Sequence, residues 1–147
     1  KKRDVVKAKC LLFAVAQLAQ VLISLPFAFW RVGLLPNGNP AGIEANVAYY
    51  GFGLIIYGVF NFIFLTQFFK TAYNAGVAFL LAGIPAVIIM ALMEIMVHFP
   101  GFAWLDSLES ADLLRQLPIL VVGIVVYAVA MLSAYQISAR RFEKVDL

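Results

Sequence analysis

AGVAFLLAGIPAVIIMALMEIMV, residues Ala75 to Val97, decides the class of this chain. It carries one charge, Glu94, and His98 follows it directly. An α-helix rises ~1.5 Å per residue, so a helix of this length crosses a hydrocarbon core of ~30 Å. Soluble domains rarely carry such a helix. The stretch predicts an integral membrane protein, and it raises the question of why a membrane helix holds Glu94 and His98 four residues apart.

Composition agrees. Of 147 residues, 64% are hydrophobic and 13% charged, and the net charge is +3. Mean hydropathy is +0.95. These values fit a polytopic membrane protein and exclude a disordered chain. The basic residues cluster beside apolar runs, so they read as topology signals and predict no nucleic-acid partner. The lone Cys10 cannot form an internal disulfide. The chain opens Lys1-Lys2-Arg3 with no Met, which is consistent with a processed or partial chain. The apolar run from Cys10 to Trp30 is longer than a signal-peptide core and lacks a small-x-small cleavage site, so it reads as a span.

Working outward gives one all-α membrane domain over residues 1–147, with four spans at about 10–29, 46–69, 75–98 and 118–138. In the first span Gln17, Gln20 and Ser24 recur at i, i+3 and i+7 on one helix face. Amides in lipid need partners, so this face points into the protein. It serves either interhelical hydrogen bonding or the lining of a substrate path. Pro26 is positioned to kink the far end. Residues 31–44 read as a loop, with turn residues running through PNGNPAG at 36–42.

In the second span Gly51, Gly58 and Asn61 share a face where another backbone can approach closely, and Asn61 joins the candidate path. The short Lys70–Asn74 turn makes spans two and three an antiparallel hairpin. Span three carries a stripe of Ala78, Ala82 and Ala86, and its Gly83 and Pro85 predict a bend. A short amphipathic outer helix is expected at about 104–115, where leucines alternate with acids beside Trp104. Asp106 or Ser107 could cap it, Ser110 with Asp112 suggests a second helix start, and Pro118 suits the first turn of the fourth span. Ala130, Ala134 and Ser138 form a further packing face.

Orientation follows from charge. The N-terminal segment holds five Lys/Arg, the turn holds Lys70, and the tail holds Arg140, Arg141 and Lys144; the opposite side has only Arg31 and Arg115. Both ends and the Lys70 turn are therefore expected in the cytoplasm.

Chemistry is sparse. No phosphate-binding loop, zinc motif, paired-cysteine motif or nucleophile elbow occurs, so no cofactor and no metal site are expected and the chain does not read as an enzyme. Glu94 and His98 remain. An i, i+4 pair can hydrogen-bond, and an ionisable residue in a span is a functional candidate. Glu94 lies about 20 residues beyond the Lys70 turn, or ~30 Å along the helix, at the outer edge of the hydrocarbon. The pair is either an interfacial anchor, with Arg115 a candidate contact, or an outer gate in which His98 senses protons.

Two stretches carry a family resemblance. Lys2-Arg3-Asp4-Val5-Val6-Lys7-Ala8-Lys9 leads straight into a span, and the last span ends Ile137-Ser138-Ala139-Arg140-Arg141-Phe142-Glu143-Lys144-Val145-Asp146-Leu147. The chain thereby resembles the membrane-spanning permease subunits of bacterial ATP-binding-cassette exporters of the second exporter type. That resemblance implies that this chain covers the last four of six spans, unless it is a genuine four-span protein. It implies a multi-pass protein of the bacterial cytoplasmic membrane, a separate ATPase subunit as partner, and a second permease subunit. Lys1, Lys2, Arg3, Asp4, Lys7 and Lys9 would face the ATPase. Substrates of the family include drugs, peptides and lipids. Two rivals stand beside it: a non-transporting four-helix membrane protein for self-protection or assembly, and a membrane enzyme built on Glu94 and His98.

Overall fold

A computed structural model of the chain describes residues 2–34, 42–71 and 73–144. Lys1, all of the PNGNPAG turn but Gly42, and the final Val145-Asp146-Leu147 lie outside the described residues. Four α-helices make up most of the rest: α1 Lys2–Leu34, α2 Val47–Lys70, α3 Ala75–Val97 and α4 Ser110–Glu143. A 3-10 helix, Pro100–Leu105, stands between α3 and α4. All four α-helices are long and apolar enough to cross a bilayer, and the chain is a polytopic α-helical membrane protein.

The helices differ in length for a readable reason. α2 and α3, at 24 and 23 residues, match the thickness of a bilayer. α1 and α4, at 33 and 34 residues, outrun it. Their extra turns are the polar ones. Lys2–Lys9 is a helical extension of α1, and Ser110–Gln116 is a helical extension of α4.

α2 and α4 form the central pair. Gly51, Gly58, Leu54, Asn61 and Leu65 are buried along one side of α2. Gly123, Tyr127, Ala134 and Ser138 are buried along the facing side of α4. The fit is tightest where glycines meet. A Cβ built on Gly51 would stand 2.8 Å from the backbone of Ile119 and Leu120, and one on Gly123 would strike the Gly51 carbonyl. Gly58 is less cramped, its Cβ falling 3.2 Å from the Tyr127 Cα. With no hydrophobic drive between helices in lipid, such close backbone approach is what holds them. α3 lies on another side of α2 and buries Ala78, Ala82 and Ala86 there. α1 leans chiefly on α4 and makes no extended contact with α3.

Asn46 caps α2 by accepting a hydrogen bond from the Tyr49 amide, and Asn74 caps α3 through the Val77 amide. Between those helices Tyr73 takes a left-handed φ of 73°. Its ring lies against Phe68, Phe69 and Phe142, which offsets a backbone cost of about 1–2 kcal/mol.

Three expectations are corrected. The outer helix does not run over 104–115. The short helix lies earlier, at Pro100–Leu105, and residues from Ser110 onward already belong to α4. The break falls at 106–109 because side chains there bind the backbone: the Glu44 amide donates to Asp106 Oδ1, and the Glu109 amide donates to Ser107 Oγ. Pro118 consequently sits inside α4, where the helix forgoes one intrahelical bond. Finally, Arg31 to Leu34 are the last turn of α1 and not the start of a loop. Pro26 and Pro85 lie inside α1 and α3.

Candidate functional site

The polar residues of the spans gather in four places. The first joins three helices. Asn61 on α2 is fully buried, and its amide pairs reciprocally with Gln17 on α1: Gln17 Nε2 donates to Asn61 Oδ1 at 3.0 Å and Asn61 Nδ2 donates to Gln17 Oε1 at 2.6 Å. Tyr127 on α4 donates its hydroxyl to the same Gln17 oxygen at 3.0 Å. Asn61 also reaches Met131 Sδ at 3.3 Å. The amides thus answer each other inside the apolar bundle, as groups cut off from water must. Of the four candidate path residues, Gln17 and Asn61 form this closed cluster.

Gln20 and Ser24 do not join it. Ser24 shares a hydrogen bond with Tyr50 across 3.2 Å and donates to the Val21 carbonyl. Gln20 is exposed, beside a small recess floored by Gly53 and Tyr57 of α2. The predicted polar face is therefore split: its lower half clamps the bundle and its upper half borders a cleft.

Glu94 and His98 are not a side-chain pair. His98 is the C-cap of α3, and its Nδ1 lies 2.7 Å from the backbone carbonyl of Glu94. Glu94 lines a cleft between α2 and α3, and also a shallower recess with Ile95, His98 and Phe99, and its side chain has no hydrogen bond or ion pair among the described residues. Arg115 does not reach it either. It stacks over Trp104 at 5.1 Å and pairs with Asp112 at 3.4 Å.

The third place is the loop end of the bundle. Gln116 is fully buried near the start of α4. Its Nε2 donates to the carbonyls of Trp104 and Ser107, and its Oε1 accepts from the Ala48 amide. Asn46 Nδ2 donates to Leu105 and Ser107. Two amide side chains thus satisfy the carbonyls that the 3-10 helix leaves open. Arg31 and Glu44 close the same end with an ion pair of 2.7 Å. A polar residue next to a helix start was the available signal for Asn46; nothing in the spacing named the target of Gln116.

The fourth place lies at the other end, where the two termini meet. Arg3 Nε donates to Glu143 at 2.6 Å, and Lys2 Nζ lies 5.9 Å from the Phe142 ring centre. Beneath them Val6, Cys10, Leu65, Phe69, Ala139 and Phe142 form a buried apolar cluster. Arg141 donates to the Thr66 carbonyl near the end of α2. Of the candidate partner-facing residues, Lys2 and Arg3 are thus engaged with the tail, while Lys7 and Lys9 are exposed. Lys1 lies outside the described residues. Among the described residues Lys7, Lys9, Lys70, Arg140 and Lys144 are exposed cations with no ion pair, so this end presents a positive surface.

The Arg3 hydrogen bond holds the Glu143 carboxyl below its ordinary value of 4.5, and Arg3 is in turn raised. A depressed carboxyl stabilises the fold above its unfolded pKa and loses that contribution as pH falls through the folded value. We therefore expect Glu143→Gln to lower the melting temperature slightly at pH 7. The gap to the parent should close as the pH drops below 4.5 and shrink in high salt, because the pair is exposed. Melting curves of both proteins across pH and salt check this.

No family model, curated protein or solved structure matches this chain.

Proposed function

We propose that the chain is the permease subunit of an ATP-binding-cassette exporter, with ATP hydrolysed on a separate polypeptide. The observation that carries the reading is the joined terminal end. The basic segment Lys2–Lys9 and the tail through Lys144, which carry the resemblance, pack on one another and expose four cations, Lys7, Lys9, Arg140 and Lys144, that have no ion pair among the described residues. On the positive-inside rule this end faces the cytoplasm, where an ATPase would dock. A surface of fixed cations on a rigid helix end suits an acidic partner patch, and it speeds association as well as orienting it.

The closed Gln17–Asn61–Tyr127 cluster bears on the route. Its groups are already paired, so a path through the middle of one chain would have to break them. Passage between α1 and a neighbouring subunit asks for no such break.

The same closed cluster favours one rival, a non-transporting four-helix membrane protein, because such a scaffold needs no path at all. Co-expression with candidate ATP-binding-cassette ATPase subunits from the same organism separates the two. The permease reading predicts a complex that survives affinity purification and is weakened at least tenfold by the double substitution Lys7→Glu and Lys9→Glu. Absence of any complex with the parent chain removes the permease reading.

A further inference from the structure

The cleft that Glu94 lines is about 850 Å³ and opens between α1, α2 and α3 at the loop end. α2 forms its floor with Tyr49, Gly53 and Tyr57, α3 one wall with Met90, Met93 and Glu94, and Arg31 of α1 a corner. Three observations bear on what it takes. First, its size suits a small organic molecule, within the usual ~300–1,000 Å³ of ligand sites. Second, its lining is mostly apolar, two tyrosines and two methionines among aliphatic side chains, with Arg31 and Glu94 its only charges. Third, those charges do not cancel. Arg31 is spent on Glu44 at 2.7 Å, and Glu94 is left without a partner among the described residues. A lone carboxylate beside apolar surface is costly unless a cation or water meets it.

We propose that this cleft binds an amphipathic organic cation, with its apolar body on the tyrosines and methionines and its positive centre held by Glu94. Tyr49 and Tyr57 add ring faces, which attract such a charge. Gly53 keeps the floor low: a Cβ built there meets nothing within 4 Å, so the space above it is open. Naming the cation as a transported substrate rests on the permease reading; its binding does not.

The probe is tetraphenylphosphonium, and tetraphenylborate has the same shape with the opposite charge. Equilibrium dialysis against the full chain in nanodiscs, with empty nanodiscs as the blank, measures each. We expect saturable binding of the cation that the anion does not compete away. Glu94→Gln should weaken it at least tenfold, or about 1.4 kcal/mol. Gly53→Leu should abolish it by filling the cleft without touching the backbone. Glu109→Gln, which does not line the cleft, should bind as the parent does. No saturable binding, equal affinity in Glu94→Gln, or equal competition by tetraphenylborate each overturns the proposal. None of these results involves the ATPase, so they leave the complex-formation test untouched, and failure of that test leaves the binding site standing.

Discussion

Gly123→Leu should cost the protein about 3 kcal/mol, the upper end of what overpacking costs. At this position even a single Cβ strikes the Gly51 carbonyl, and that atom belongs to backbone and cannot rotate aside. A larger side chain must push the helices apart along their length. The shift would carry Gly58 away from Tyr127 and loosen the three-helix amide cluster, since Tyr127 is one turn along α4 from Gly123. Gly83→Ala is the matched control. No atom lies within 4 Å of its added Cβ, and an alanine in mid-helix gains about 0.5–1 kcal/mol over glycine. Unfolding by denaturing detergent in mixed micelles should therefore destabilise the first variant strongly and leave the second at or above the parent. Equal behaviour of the two would mean that the glycine contact is not what joins α2 to α4.

Asn61→Leu should be the next most damaging change, at about 1–3 kcal/mol. It leaves the Gln17 amide in apolar surroundings with only the Tyr127 hydroxyl for company. The penalty comes from the orphaned partner more than from the lost bond. Hydrogen bonds between membrane helices average only about 0.6 kcal/mol in double-mutant cycles. Replacing both ends should therefore hurt less: Gln17→Met with Asn61→Leu is expected to be more stable than Asn61→Leu alone. The same unfolding measurement decides it. A double variant that is worse than either single one would mean the two amides act independently, and the cluster would not be the clamp described here.

Much of the architecture was legible, and the reason is the bilayer. α2 and α3 begin and end close to where hydropathy begins and ends, because their charges sit at their ends. α4 was drawn short for the same reason in reverse: Ser110–Gln116 is polar, so the apolar pattern stops where the helix does not. The basic segment Lys2–Lys9, expected to start a helix that runs on into the first span, does so. The glycine face of α2 was readable from spacing, while its partner Gly123 was not, since a face says that something approaches and not what.

The polar sites divide along the same line. Gln17 and Asn61 were each visible as amides needing partners in lipid, and their pairing across helices was beyond any local pattern. Glu94 and His98 were joined by an i, i+4 rule that holds within a helix. His98 stands at the cap, where its ring turns to the helix's own carbonyl. The Gln116 amide looked ordinary because its targets, the carbonyls of the 3-10 helix, exist only once the outer segment has folded back.

We propose that the joined terminal end couples this chain to an ATP-hydrolysing subunit, and the hydrolysis rate of that purified subunit with proteoliposomes carrying the full chain tests it. The rate should change severalfold when the chain is present, and return to the basal value with Lys7→Glu and Lys9→Glu while the variant keeps its parent's melting temperature. A rate unaffected by the parent chain would contradict it.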